Sequence, residues 1–113
     1  LGIAAPGLHL PCAMLSRRRL PTGRCKAVLV GNAQYRGGHR ALASAHRDVE
    51  SLGAALHGQW SFDVLQFSDV DSAGFRTVVA AARELLRAAD CFLFYFAGHA
   101  VEVDGHVLLL LTD

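Results

Sequence analysis

The stretch that decides the fold is Cys91–Ala100, CFLFYFAGHA. From Cys91 to Ala97 it is apolar or aromatic without a charged residue, the pattern of a strand buried on both faces of a parallel sheet; a half-exposed strand would alternate. The run halts at Gly98 and hands the chain to His99. In open α/β sheets the side chains that meet ligands lie just outside the carboxyl ends of the strands. Imidazole is also the group whose ordinary pKa suits proton transfer near neutrality. His99 is thus a candidate acid/base group at the rim of a sheet, and a turn histidine without a task is the alternative.

Upstream, the chain alternates two periods. Lys26–Gly31, KAVLVG, predicts a first buried strand, followed by a loop over Asn32–Arg40 in which Gly37-Gly38 supply the turn. Leu42, Ala45, Val49, Leu52 and Leu56 then recur at spacings of three and four. They predict an amphipathic helix stopping near Gly58, with Arg47, Asp48 and Glu50 off its apolar stripe. Phe62–Phe67, FDVLQF, predicts a second strand, and Asp71-Ser72 offers the N-cap of a second helix. The apolar face of that helix reads as Phe75, Val78, Val79, Ala82, Leu86 and Ala89, with Arg76, Arg83, Glu84 and Arg87 outside.

After the third strand, Val101–Val103 and Val107–Leu111 flank Asp104-Gly105, a pair that favours a type I′ hairpin turn. The order strand, helix, strand, helix, strand, hairpin predicts an α/β fold: a mostly parallel sheet with right-handed crossovers and helices on its faces. The Cys91 strand reads as the central one. Residues 1–25, broken by Pro6, Pro11 and Pro21, read as a flexible arm or linker, and residues 26–113 as a partial domain. A start on Leu1 and an end on Asp113, directly after an apolar run, read as a piece of something longer.

Composition narrows the function classes. At 113 residues, 52% of them hydrophobic, the chain can build one core. Eleven basic against ten acidic residues leave a net charge of +1, so no field for nucleic acid or an anionic membrane is expected. The basic cluster Arg17, Arg18, Arg19, Arg24 and Lys26 reads as a solvated linker. Cys12, Cys25 and Cys91 form no C-x-x-C pair, which argues against a disulfide framework or structural zinc and for a reduced, cytoplasmic setting. No apolar run approaches the roughly 20 residues of a membrane helix, and the arginines follow the N-terminal apolar stretch instead of preceding it, unlike a secretory signal.

Other constellations carry less. His99, Glu102, Asp104 and His106 match no common ligand spacing, and a hairpin alternates its side chains, so no metal is expected there. Gly31, Gly37 and Gly38 do not make a G-x-G-x-x-G, and no other cofactor is implied. His39, His46 and His57 read as exposed helix or loop residues.

Residues 26–113 resemble the first half (p20-type portion) of a caspase-like, clan CD cysteine peptidase domain, closest to the paracaspase and metacaspase branch. Three segments carry the resemblance in order: VLVGNAQY at the first strand, LASAHRDVESLGAAL at the first helix, and FLFYFAGHA followed by a hairpin and LLLLTD. It implies a caspase-like fold and a cysteine-type endopeptidase acting on polypeptides. His99 matches the family's catalytic histidine, which works with a cysteine thiolate and protonates the leaving amine.

Ala100 matches the position whose backbone N–H serves the oxyanion hole, where the family usually has glycine; if positive φ is needed there, alanine costs about 1 kcal/mol. Asp48 matches an acidic residue of the primary specificity pocket and implies pairing with a substrate Arg or Lys. A solvated helix charge or first-turn dipole partner is its plainer reading. Caspases proper bind aspartate through an arginine upstream of this helix, where Leu42 stands here with Arg40 two residues off.

The resemblance also marks a gap. Its nucleophilic cysteine follows the histidine by about 50 residues, whereas fourteen residues follow His99 and none is cysteine. Cys91 lies eight residues before His99 on the same strand, roughly 26 Å away if extended, and Cys25 begins the first strand; both read as inert, buried thiols. The chain alone is expected to be inactive. A catalytically inactive scaffold or dimerisation module, with a second copy or a signalling complex as partner, is the reading from another class, favoured by Ala100.

Overall fold

The structure, a computed structural model, describes residues 23–113. The arm expected over residues 1–25, with Cys12 and the triple arginine, lies almost wholly outside the described residues. Seven elements follow: β1 (Cys25–Gly31), α1 (Ala43–Trp60), β2 (Asp63–Ser68), α2 (Ser72–Ala88), β3 (Cys91–Ala97), β4 (Ala100–Val103) and β5 (His106–Leu109). They form the expected α/β architecture, a three-stranded parallel sheet in the order β2-β1-β3 flanked by two helices, with β4 and β5 as a separate antiparallel pair.

β1, and not β3, is the central strand. It pairs with β2 from Lys26↔Asp63 to Gly31↔Ser68 and with β3 from Cys25↔Cys91 to Gly31↔Ala97. Ala27, Val28, Leu29 and Val30 are accordingly 0% exposed, whereas Phe94 of β3 is 40% exposed. An apolar run marks burial on both faces, and a run of this kind does not say whether both edges are also paired.

The two sheet faces hold separate cores. Ala27 and Leu29 pack with Ala45, Val49 and Leu56 of α1, while Val28 and Val30 pack with Val78 of α2 and Phe96. The chain steps from β1 to β2, then back across β1 to β3. Two crossovers of one hand in opposite directions put their helices on opposite faces, as found.

β1 begins at Cys25, one residue early and inside the expected arm, β2 is displaced by one residue, and three further details differ from expectation. α1 runs through Gly58, whose surroundings are open, and ends where Ser61 takes a left-handed conformation (φ 56°) and its N–H meets the Leu56 carbonyl. On α2, Leu85 packs against the core whereas Leu86 is 57% and Val79 38% exposed, so the apolar stripe is rotated by part of a turn. The β5 ladder stops at Leu109 instead of Leu111. The Asp104-Gly105 turn (φ 51° and 79°) and the Asp71 cap, which accepts the Gly74 N–H at 2.7 Å, form as read.

Candidate active site at the carboxyl rim of the sheet

The carboxyl ends of β1 and β3 meet in a network centred on Asn32, which is 0% exposed. Its backbone N–H donates to the Ala97 carbonyl at 2.8 Å. Its side-chain amide donates to the carbonyls of Val70 (3.2 Å) and Leu110 (3.4 Å), and its Oδ1 accepts the Val70 N–H at 2.7 Å. One residue, through its backbone and its side chain together, thus ties the ends of β1 and β3 to the segments following β2 and β5. The final residues close the rim: Thr112 donates to the Val70 carbonyl (3.0 Å) and accepts from Arg36 N–H (2.8 Å), and Asp113 Oδ1 accepts from Ser72 at the start of α2.

His99 sits on this rim, 9% exposed. Its Nε2 lies 2.5 Å from the Arg40 carbonyl oxygen. A carbonyl can only accept, so Nε2 carries the proton, and in the neutral ring Nδ1 is the basic nitrogen. The backbone of His99 is held as firmly. Its carbonyl accepts the Leu110 N–H at 2.9 Å. Its own N–H does not return the bond to Leu110; it donates at 2.8 Å to the Tyr35 hydroxyl, which donates onward to the Leu110 carbonyl at 3.1 Å.

The phenol is therefore an inserted rung between His99 and Leu110. Burial raises the Tyr35 pKa above its ordinary value, although the His99 N–H works the other way, and the hydroxyl keeps the proton it donates. The Tyr35 ring also lies 4.8 Å from the His99 ring, and His39 stands 6.0 Å from each. Gly98 is required by the same packing: a Cβ there would come within 2.5 Å of the Tyr35 oxygen and 2.8 Å of the Phe96 ring.

Ala100 follows, 6% exposed and paired with Leu109. Bonded and non-bonded pairs alternate in an antiparallel ladder, so the His99–Leu110 rung makes Ala100–Leu109 a non-bonded pair and turns the Ala100 N–H to the other edge of β4. Ala100 is not among the residues with positive φ, so alanine introduces no strain at this position.

Asp48 lies on the second turn of α1, which has no acidic residue in its first turn, so it is not a first-turn dipole partner. It is half-buried. Burial, and next the negative charge of Asp48, raise the Tyr95 phenol pKa above its ordinary value.

Of the three histidines read as exposed helix or loop residues, His39 and His57 are exposed and His46 is half-buried; His46 and His57 have polar partners, and His39 joins the Tyr35 and His99 rings. His57 Nδ1 meets the Phe62 carbonyl at 3.1 Å, and His46 Nε2 meets Asp69 Oδ1 at 3.0 Å. Asp69, in a left-handed conformation (φ 52°), also accepts the backbone N–H groups of Ala33 (2.9 Å) and Gln34 (3.1 Å). Burial opposes its ionisation, but these donors outweigh burial and hold its pKa below the ordinary carboxylate value. Asp69 thereby fixes the start of the loop that carries Tyr35 and Arg40.

The side-chain reading of the sequence missed Tyr35, Asn32 and the Arg40 carbonyl. The first two were visible as polar residues directly after a buried strand; a carbonyl leaves no mark in a sequence. Cys25 and Cys91 begin β1 and β3, at the opposite end of the sheet. Among the described residues no helix is long and apolar enough to cross a membrane.

No curated protein matches the chain. The family model of the caspase domain matches residues 24–112. That match runs from the residue before β1 to Thr112, through every element and all of the rim but Asp113, and the chain therefore belongs to the caspase domain family.

Proposed function

We propose that this chain carries the histidine half of a cysteine-type endopeptidase, nearest to the paracaspase and metacaspase branch, whose substrate is a polypeptide with Arg or Lys before the cleaved bond. The observation that supports the reading is the contact of His99 Nε2 with the Arg40 carbonyl, which is consistent with Nδ1 as the proton-accepting nitrogen at the carboxyl rim of a parallel sheet. The nucleophile is a cysteine outside residues 1–113. The second edge of β3 bears no strand among the described residues, and a further strand added there would bring its carboxyl end beside His99.

In this scheme the thiolate attacks the peptide carbonyl, and the Ala100 N–H faces the oxygen that becomes negative. His99 passes its proton to the leaving amine, and water then hydrolyses the thioester with His99 as base. Asp48 supplies the carboxylate that pairs with the substrate's basic side chain.

The reading as an inactive scaffold or dimerisation module drew on alanine standing at position 100. Because Ala100 takes no positive φ, the substitution gives no reason to prefer that reading.

The test is cleavage of arginyl, lysyl and aspartyl reporter peptides by the parent reading frame extended past residue 113. Cleavage after Arg and Lys, lost in His99→Ala and reduced at least about 100-fold in Asp48→Ala, is expected. Cleavage after Asp, or cleavage indifferent to His99, overturns the assignment. The 113-residue chain alone should cleave none of the three.

A further inference from the structure

Cys25 and Cys91 open β1 and β3 and are partners in the parallel register. Register partners in neighbouring parallel strands point to one face, and both thiols lie in or against the core beneath α1. Strands stand about 4.8 Å apart, inside the window of about 4.4–6.8 Å that a disulfide spans between Cα atoms. The surroundings hold the two together. The Arg24 carbonyl accepts from both Asp90 N–H (2.8 Å) and Cys91 N–H (3.2 Å), and Arg24 N–H donates to Asp90 Oδ2 at 2.8 Å. The Cys25 thiol meets the Gly23 carbonyl at 3.8 Å.

We propose that Cys25 and Cys91 form a dithiol site that low-molecular-weight disulfides, oxidised glutathione among them, convert reversibly into an intramolecular disulfide joining the starts of β1 and β3. Cys91 is half-buried and Cys25 is 4% exposed, which sets the order of events. The Cys91 thiolate attacks one sulfur of the small disulfide, and the sulfur–sulfur bond breaks with release of one thiolate. Cys25 then gives its proton to solvent and attacks Cys91 Sγ; the mixed disulfide breaks and a second thiolate leaves. Two protein thiols are oxidised, one small disulfide is reduced to two thiols, and the two protons released by the cysteines balance those taken up. Burial first, then the neighbouring Cys91 and Asp90, push the Cys25 thiol up, so Cys25 stays protonated while Cys91 makes the first attack. Reduced glutathione in excess reverses the two exchanges in turn.

The test uses the 113-residue chain carrying Cys12→Ser, equilibrated across a series of oxidised-to-reduced glutathione ratios in buffer and in concentrated guanidinium. Acid quenching, alkylation and mass spectrometry follow. The expected result is a species lighter by two hydrogens, with one peptide linking Cys25 to Cys91. Its midpoint in buffer should need at least about tenfold less oxidised glutathione than in guanidinium, the gain from pre-positioned thiols. Cys25→Ser should give only a glutathione adduct at Cys91, and Cys91→Ser, which leaves the buried Cys25, should give no bridge and at least about tenfold less adduct in buffer than Cys25→Ser. Glutathione adducts without the internal bridge, covalent dimers alone, or equal midpoints with and without guanidinium would overturn the proposal.

Discussion

Replacing Tyr35 with Phe removes a single oxygen and tests whether the inserted rung sets the geometry of His99. The oxygen makes two hydrogen bonds, to the His99 N–H and the Leu110 carbonyl. A net contribution of about 1 kcal/mol per bond, with the His99 N–H losing the phenol oxygen and the Leu110 carbonyl keeping only the Asn32 amide at 3.4 Å, gives a loss of about 2 kcal/mol. For a domain of this size that lowers Tm by about 10 °C. The ring remains, so the loss is not one of apolar burial. Two relaxed outcomes follow from the geometry: His99 N–H stays unpaired, or it closes directly on the Leu110 carbonyl and draws the imidazole from the Arg40 carbonyl. Either changes a measurable property of His99 beyond stability. Thermal unfolding, amide exchange of ¹⁵N-labelled chain and the imidazole ¹⁵N shifts read all three. Exchange at the His99 amide should accelerate at least about tenfold, and the Nε2–H tautomer should lose its dominance. Tyr95→Phe, which removes the same group from the same strand system without touching the rung, is the reference. A Tm within about 2 °C of wild type together with unchanged His99 exchange and tautomer would refute the inserted-rung account.

Asn32→Ala leaves the buried Val70 N–H and carbonyl without their side-chain partner and should cost about 3 kcal/mol by denaturant titration; a loss below about 1 kcal/mol would remove Asn32 from the centre of the rim. Gly98→Ala pushes on the Tyr35 oxygen and should destabilise by about 1–3 kcal/mol, with Gly98→Ala and Tyr35→Phe together costing less than their sum in a double-mutant cycle. Asp69 has a depressed folded-state pKa, so its contribution is present above the unfolded carboxylate pKa and is lost as pH falls through the folded value. The Tm of the wild type should therefore approach that of Asp69→Asn between about pH 5 and pH 2, and a gap independent of pH would contradict the ionic origin. Arg40→Ala should change stability by less than about 0.5 kcal/mol and leave the His99 tautomer intact, because the contact uses the backbone oxygen.

The elements were legible because their periods differ: continuous apolar runs at β1 and β3, and recurrences of three and four over α1 and α2. What a one-dimensional period cannot encode is the third dimension of the same residues. The run at β3 has the composition of a central strand yet lies at an edge, because edge or centre depends on which strands pair beside it. On α2, Leu85 and Leu86 are equivalent in an alanine-rich helix until Val28, Val30 and Phe96 select one stripe. His46 reads as an exposed helix residue because its partner, Asp69, is 23 positions away and meets it only after β2 has returned to the rim.

His99 itself was visible, as a histidine after a buried strand and a glycine; the means of holding it was not. Its orientation rests on a carbonyl of Arg40, a hydroxyl of Tyr35 and the N–H of Leu110, contributed by the loop after β1 and the segment after β5. Two of these three are backbone groups, present at every position of any chain. A search over side-chain types finds the titrating group and passes over its support. The physical consequence is a division of labour along the sequence. The identity of residue 99 decides what chemistry is available. The placement of its ring depends on positions 32, 35, 69 and 98, whose side chains fix the paths of the two segments, so substitutions there should alter His99 more than substitutions of the exposed Arg40 side chain that lies closest to it in the network.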